Sequence, residues 1–385
     1  MVRTEVAGHR ELRGGALKLL TRRADFGYGN ARLRARRADL LGRAGYEALI
    51  GKDVDAILGA LSETPYGPEV EAALTRHHGA HRLREAVRHH LARVLEEMRS
   101  FYKDRAGDLL DVLLSRWDLH NTVTLLRGEA VAPHTEDALL HVYPMGALGD
   151  ALAREVARQN EFAAAVQLLV RWKLPDPETA RGLGEAWPDY ERTEDFPALE
   201  HAVTANWTAR TDGILTTTGN DGAPLRRFFG RETDEKNLLV ALRLREALRR
   251  GETDGLPVLE GYGVYLPGGS TKIARFDDAI RLPDAGNAAT ALAAGHEEWR
   301  RPLERWADSG DLAGLQYELE ARRVRDAAGL FATGDPLGVD IPIAYAVAKE
   351  TEARNLRLIG EGAARGLDPA RVRARLVLFD EGGVP

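Results

Sequence analysis

Between its glycine and proline breaks, the chain repeats apolar residues at intervals of three and four, the 3.6-residue period of an amphipathic helix. Leu, Ala, Arg and Glu dominate these stretches, so the pattern predicts a mostly α-helical protein. Two short stretches are the best strand-like candidates: the alternation in GYGVYLPGG (261–269) and the threonine run ILTTTG (214–219). Both lie beside glycine and read as loops or small hairpins inserted between helices, with 208–224 taken as a loop around the second.

The pattern also repeats. DLHNTVTLLRGEA begins at Asp118, DEKNLLVALRLREA at Asp234 and EARNLRLIGEGAA at Glu352. Each carries an acid, two variable residues, an asparagine and then aliphatics, and Asn121, Asn237 and Asn355 lie 116 and 118 residues apart. Upstream stand EAALT (71–75), EHAVT (200–204) and the looser LQYELEARRV (315–324), preceded by DVDAILGAL (53–61), EFAAAVQLL (161–169) and GNAATAL (286–292). YPMGAL (143–148) and LPGGST (266–271) open the later two copies. The expectation is an N-terminal extension over 1–25 and three similar helical units over 26–135, 140–255 and 260–385. Each unit would hold a short helical pair, a longer middle helix and the helix with the acid-x-x-Asn element. Tandem copies pack by the same face, which predicts a solenoid or a ring-like cluster with a concave surface.

Length and composition fit this picture. A chain of 385 residues exceeds what one core organises, and 44% hydrophobic with 29% charged residues describes a globular protein. No apolar run approaches the ~18–20 residues of a membrane span. The opening MVRTEVAGHRELRGG lacks the apolar core of a secretory signal, and the absence of cysteine fits a cytoplasmic protein without disulfides or thiolate zinc sites. A net charge of −6 argues against a general polyanion binder. One local exception is basic: Arg22, Arg23, Arg32, Arg34, Arg36 and Arg37 outnumber Asp25 and Asp39. An RNA-binding helical repeat protein using these arginines is the alternative reading. The plainer one is a helix starting near Asn30 with Ala31, Ala35 and Ala38 as a close-packing seam and the arginines splayed around it.

Candidate chemistry is sparse. The three asparagines sit on apolar helix faces, where an amide needs hydrogen bonds, most simply to main-chain groups of a neighbouring turn or loop. A structural lock is therefore preferred to catalysis. HHGAHRLREAVRHHL (77–91) offers His77, His78 and His81 at helical spacing, with His89, His90 and Glu85 beyond, but it has no HExxH glutamate; a histidine-rich helix face is favoured over a metal site. LPGGSTK (266–272) resembles a phosphate loop but places Lys272 after Ser270 and Thr271, out of order for nucleotide binding. No nucleophile elbow or supported carboxylate pair appears, so no catalytic, cofactor-binding or metal residue is assigned.

YGNARLRARRADLL (28–41), the triplicated acid-x-x-Asn helices, the P-x-G openings and the closing NLRLIGEGAARGLDPARVRARL (355–376) together resemble the C-subunit family of V-type and A-type ATPases (ATP synthases), counterparts of the d subunit of the eukaryotic V-ATPase. The likeness runs from about Asp25 to Leu376. It implies that Tyr28, Gly29, Asn30, Arg32 and Arg34 belong to the first helix of the fold. It also implies that Asp118 with Asn121, Asp234 with Asn237, and Glu352 with Asn355 hold the family's repeated helix positions. Arg127 and Arg243 follow their asparagines by six residues, where the third copy has Glu361. What the resemblance implies overall is an all-helical funnel of three tandem units with pseudo-threefold symmetry, a non-catalytic central-stalk component without cofactor. Such a component sits peripherally on the cytoplasmic face of the membrane rotor ring of proteolipid subunits and receives the central shaft, of D- and F-type subunits, without nucleic acid.

Overall fold

The computed structural model describes residues 24–131, 136–251 and 263–379. The N-terminal extension up to residue 23, including Arg22 and Arg23, lies outside the described residues, as do 252–262. Among the described residues the chain is all-helical, with seventeen α-helices and no strand. The first group is α1 (Gly27–Arg36), α2 (Arg43–Leu49), α3 (Val54–Ser62), α4 (Gly67–Arg76), α5 (Ala80–Ser100) and α6 (Asp104–Val131). The second is α7 (Asp150–Ala157), α8 (Phe162–Trp172), α9 (Pro177–Thr193), α10 (Phe196–Thr216) and α11 (Ala223–Arg249). The third is α12 (Ile273–Arg281), α13 (Ala285–Ala293), α14 (Glu297–Ser309), α15 (Leu312–Thr333) and α16 (Asp340–Ala364), followed by α17 (Pro369–Arg373).

From α2 onward the same order recurs: three short helices, a fourth of 21, 21 or 22 residues, and a fifth of 28, 27 or 25. Local chemistry recurs with it. Asp195 starts α10 by accepting from the Ala198 N–H (3.0 Å), and Asp311 starts α15 by accepting from the Gly314 N–H (2.9 Å), each satisfying a donor that a helix start leaves unpaired. The fifth helix of each group packs on the fourth helix of the next: α6 on α10, α11 on α15. α16 completes the circuit by packing on α5 and touching α1, α2 and α3. It is buried nearly all round, with Ile341, Ile343, Leu356 and Ile359 packed among its neighbours and the buried Lys349, Glu352 and Asn355 satisfied by polar partners. One hydrophobic core runs through all of this, and a second gathers Leu238, Phe276, Trp299, Leu303 and Leu319 against the far half of α11.

The structure departs from the sequence-based expectations at four places. ILTTTG does not form a hairpin: Ile214–Thr216 ends α10, so most of 208–224 is helix. Residues 263–269 of GYGVYLPGG form a loop, as expected. Three short helices, not a pair, precede each long one. EAALT lies on the ten-residue α4, whereas EHAVT lies on α10; the counterpart of α10 by length and packing is α5. Finally, Ala31, Ala35 and Ala38 are exposed, and α1, which begins at Gly27, buries Phe26, Gly29, Asn30 and Leu33 instead. That stripe has the same helical spacing, and a phenyl and an isobutyl group remove more apolar surface from water than three methyls.

α4 and α5 are joined by charge as well as packing. Glu69 accepts from His90 Nδ1 (3.0 Å) and from Arg93 Nε (2.5 Å). Burial pushes this carboxyl up, but the two donors outweigh it and hold it at about 2. A carboxyl depressed on folding adds stability above its unfolded pKa of ~4.3 and loses it as pH falls through the folded value. Glu69→Gln is therefore expected to cost roughly 2 kcal/mol at pH 7, discounted for partial solvent screening, and to flatten the loss of stability between about pH 5 and 2. Urea unfolding across that range checks it; parallel curves for the two proteins would refute it.

Candidate functional site

The three repeated asparagines make one kind of bond. The Asn121 amide donates to the Tyr143 carbonyl (2.8 Å) and accepts from the Tyr143 N–H (2.8 Å). Asn237 does the same with Leu266 (2.9 and 2.8 Å), and Asn355 with Val377 (2.8 and 3.2 Å). All three side chains are buried. Each therefore satisfies both main-chain groups of one residue in the segment that follows its helix, much as a neighbouring strand would.

The acids three residues earlier hold the same segments a little further on. Asp118 Oδ1 accepts from the N–H groups of Ala147 (2.7 Å) and Leu148 (3.4 Å), and burial pushes its carboxyl up to about 7 against these donors. Asp234 accepts from the N–H groups of Ser270 (2.9 Å) and Thr271 (3.0 Å) and from the Ser270 hydroxyl (2.6 Å). The loop that resembles a phosphate site thus wraps an internal carboxylate. Its glycine has a reason: a Cβ on Gly269 would stand 2.3 Å from Asp234 Oδ1, and one on Gly146 would stand 2.3 Å from Asp118 Oδ1.

Glu352, one methylene longer, reaches elsewhere. It accepts from the Leu41 N–H (2.6 Å), from the Tyr66 hydroxyl (2.6 Å) and from the ammonium of Lys349, all buried or nearly so. Leu41 lies just before α2, as Ala147 and Thr271 lie just before α7 and α12. The acid of each long helix therefore pins the start of the next group, and the last one pins the first.

The residues six positions after the asparagines are also equivalent. Arg127 forms a two-pronged ion pair with Glu200, the fifth residue of α10 (2.8 and 2.6 Å). Glu361 pairs with Arg84, the fifth residue of α5, with the two charges exchanged. Arg243 meets the fifth residue of α15, Gln316, at 3.4 Å. The third copy thus keeps the contact and reverses its sign.

Between these helices lies a hollow of about 910 Å³, lined from α6, α10, α11, α15 and α16. Five residues before each asparagine stand Arg116, Glu232 and Glu350, one from each long helix, and all three line it. Arg116 pairs with Glu350, which also accepts from Trp117 Nε1 (3.1 Å). Glu232 is held by Lys236 (3.0 Å) and by Arg323 of α15 (3.1 Å), and these charges keep its carboxyl low despite burial. None of the three stands out in the sequence; reading the repeat two residues upstream of its acid would have found them.

A family model described as the ATP synthase (C/AC39) subunit matches residues 29–375. The chain belongs to this family. It is 28% identical to the C subunit of the V-type ATP synthase of Thermus thermophilus over 353 residues, 92% of this chain and 98% of that one. It is 27% identical to the C subunit of the A-type ATP synthase of Haloferax volcanii over 356 residues, 91% and 96% of the two chains. The corresponding A-type ATP synthase protein of Methanocaldococcus jannaschii shares 25% over 367 residues, 94% of this chain and 88% of that one.

In this member of the ATP synthase (C/AC39) family, the Tyr-Gly-Asn-Ala-Arg start is a packing motif. Gly29 faces the Tyr102 ring, where a Cβ would come within 2.3 Å. Asn30 donates to the Pro336 and Gly338 carbonyls (both 2.9 Å) and accepts from the Tyr102 hydroxyl (2.8 Å), joining α1 to the turn before α16. Tyr28 is exposed and accepts from Arg32 (2.9 Å). Arg32 lies over the Phe101 ring at 4.2 Å, and Arg36 pairs with Glu97, so these guanidinium groups are engaged within the protein. Arg34 is exposed. The histidines are dispersed: α4 ends at Arg76 and Gly79 breaks the chain with a φ of +56°, so His77 and His81 do not share a helix face. Glu85 lies 3.7 Å from His77 and 3.3 Å from His89, while His90 turns the other way, onto the Tyr66 ring. Among the described residues no group of three potential ligands is placed to hold a metal, and no helix is long and apolar enough to cross a membrane.

Proposed function

We propose that the protein is the non-catalytic central-stalk component of a rotary V/A-type ATPase or ATP synthase, a socket that links the rotating shaft to the membrane rotor ring. Three helical units, 26–135, 140–255 and 260–385, form a funnel around the hollow with pseudo-threefold symmetry. The shaft, of D- and F-type subunits, seats in the hollow; the ring of proteolipid subunits lies on the other side, at the cytoplasmic face of the membrane. Torque then passes through the socket, coupling ion transport to ATP hydrolysis or synthesis. The observation that carries this reading is the hollow lined by all three asparagine-bearing helices, with side chains that pin each group to the next. A coupling part needs that stiffness: moving one charge across 100 mV is worth about 2.3 kcal/mol, and a full turn gathers several such steps.

A pull-down with the tagged chain from native membranes tests it. Shaft and ring subunits are expected to accompany the chain, and the isolated protein is expected to turn over no ATP. Robust nucleotide hydrolysis by the chain alone, or recovery without either set of subunits, would overturn the reading.

A further inference from the structure

The three positions six residues after the asparagines differ in one respect that bears on what the hollow grips. Arg127 has its carboxylate, Glu200, and Glu361 has its guanidinium, Arg84. Arg243 has only the neutral amide of Gln316, at 3.4 Å. The other cations around the hollow are matched too: Arg116 with Glu350, Lys236 and Arg323 with Glu232, and Arg354 with Glu320. Among the described residues, Arg243 is the one cation lining the hollow with no carboxylate within ion-pair distance. It is exposed, so its charge faces solvent in the free protein.

We infer that Arg243 takes a carboxylate of the protein that seats in the hollow, and that this contact keys the occupant to one rotational position. The inference rests on the socket reading. A hollow walled by repeated helices, α6 with α10, α11 with α15, and α16, offers an occupant more than one rotational position. Packing alone separates them weakly, because the walls repeat. Charge separates them well: at the Arg127 seat an incoming carboxylate competes with Glu200, on the α16 wall Glu361 and Arg84 stand outside the lining, and at the Arg243 seat it finds a guanidinium with open donors. A bidentate carboxylate contact also carries the directionality that Lys would lack.

The test is titration of the full-length chain with co-purified D- and F-type shaft subunits at low and moderate salt. Arg243→Gln is expected to weaken binding about tenfold, equivalent to ~1.4 kcal/mol, and to reduce its salt dependence. Gln316→Glu keeps the arginine but supplies an internal partner, as Glu200 does for Arg127, and is expected to weaken binding similarly while leaving thermal stability unchanged or slightly higher. Both sites are exposed, so melting curves confirm that the variants fold. If the wild-type chain binds the shaft subunits and both variants bind equally well, the key is refuted and the socket stands. If the wild-type chain does not bind them at all, the socket reading fails and takes the key with it.

Discussion

Asn121→Ala is expected to destabilise the protein by about 3 kcal/mol, enough to move a urea midpoint clearly. The side chain serves both main-chain groups of Tyr143 in a buried site, so its loss strands the N–H at ~1–3 kcal/mol, leaves the C=O with only the Met145 N–H, and removes the longer contacts to the Met145 and Leu148 carbonyls. Asn121→Asp offers an acceptor but no donor, and so restores only the N–H bond and adds a buried charge. Alanine at Asn237 is expected to act similarly, because its bonds to Leu266 have the same form. A change below roughly 1 kcal/mol at both positions would show that the segments after the helices are held by packing alone.

Glu352→Ala is expected to cost more, about 3–5 kcal/mol, since it strands a buried ammonium. Lys349 and Glu352 are 2% and 1% exposed, and the carboxylate also serves the Leu41 N–H and the Tyr66 hydroxyl. Removing both charges together, as Lys349→Met with Glu352→Gln, is expected to recover much of that loss. The glutamine keeps an acceptor for Leu41 and Tyr66, and no unpaired charge remains. The cycle of wild type, Lys349→Met, Glu352→Gln and the double variant, read by urea unfolding, gives the coupling directly; additive losses would mean that the two groups do not interact in solution.

The helical class and the three asparagine elements are legible in the sequence because both live in local pattern: a 3.6-residue period, and an amide on an apolar face that needs a partner. The partner itself is not legible. Tyr143 and Leu266 lie 22 and 29 residues beyond their asparagines, a variable loop length that no periodicity encodes. The alanine seam expected on α1 fails because alanine spacing and the Phe26–Leu33 spacing have the same period, and only burial distinguishes them. The exchange of charge between Arg127 with Glu200 and Glu361 with Arg84 is invisible for a different reason. It requires knowing that α5, rather than α4, is the counterpart of α10, and the short EAALT match points to the wrong helix. The lining charges Arg116, Glu232 and Glu350 differ in sign, so a search for like residues passes over them.

The packing of α16 against α5 has a consequence for biosynthesis. Leu83 of α5 lies where a Cβ on Gly360 would come within 2.4 Å, so these two helices meet closely across most of the chain. At ~5–20 residues per second, the ribosome delivers α16 only tens of seconds after α5. Through that interval α3, α4 and α6 cover part of α5, and the face that α16 will occupy stays open until the last long helix arrives.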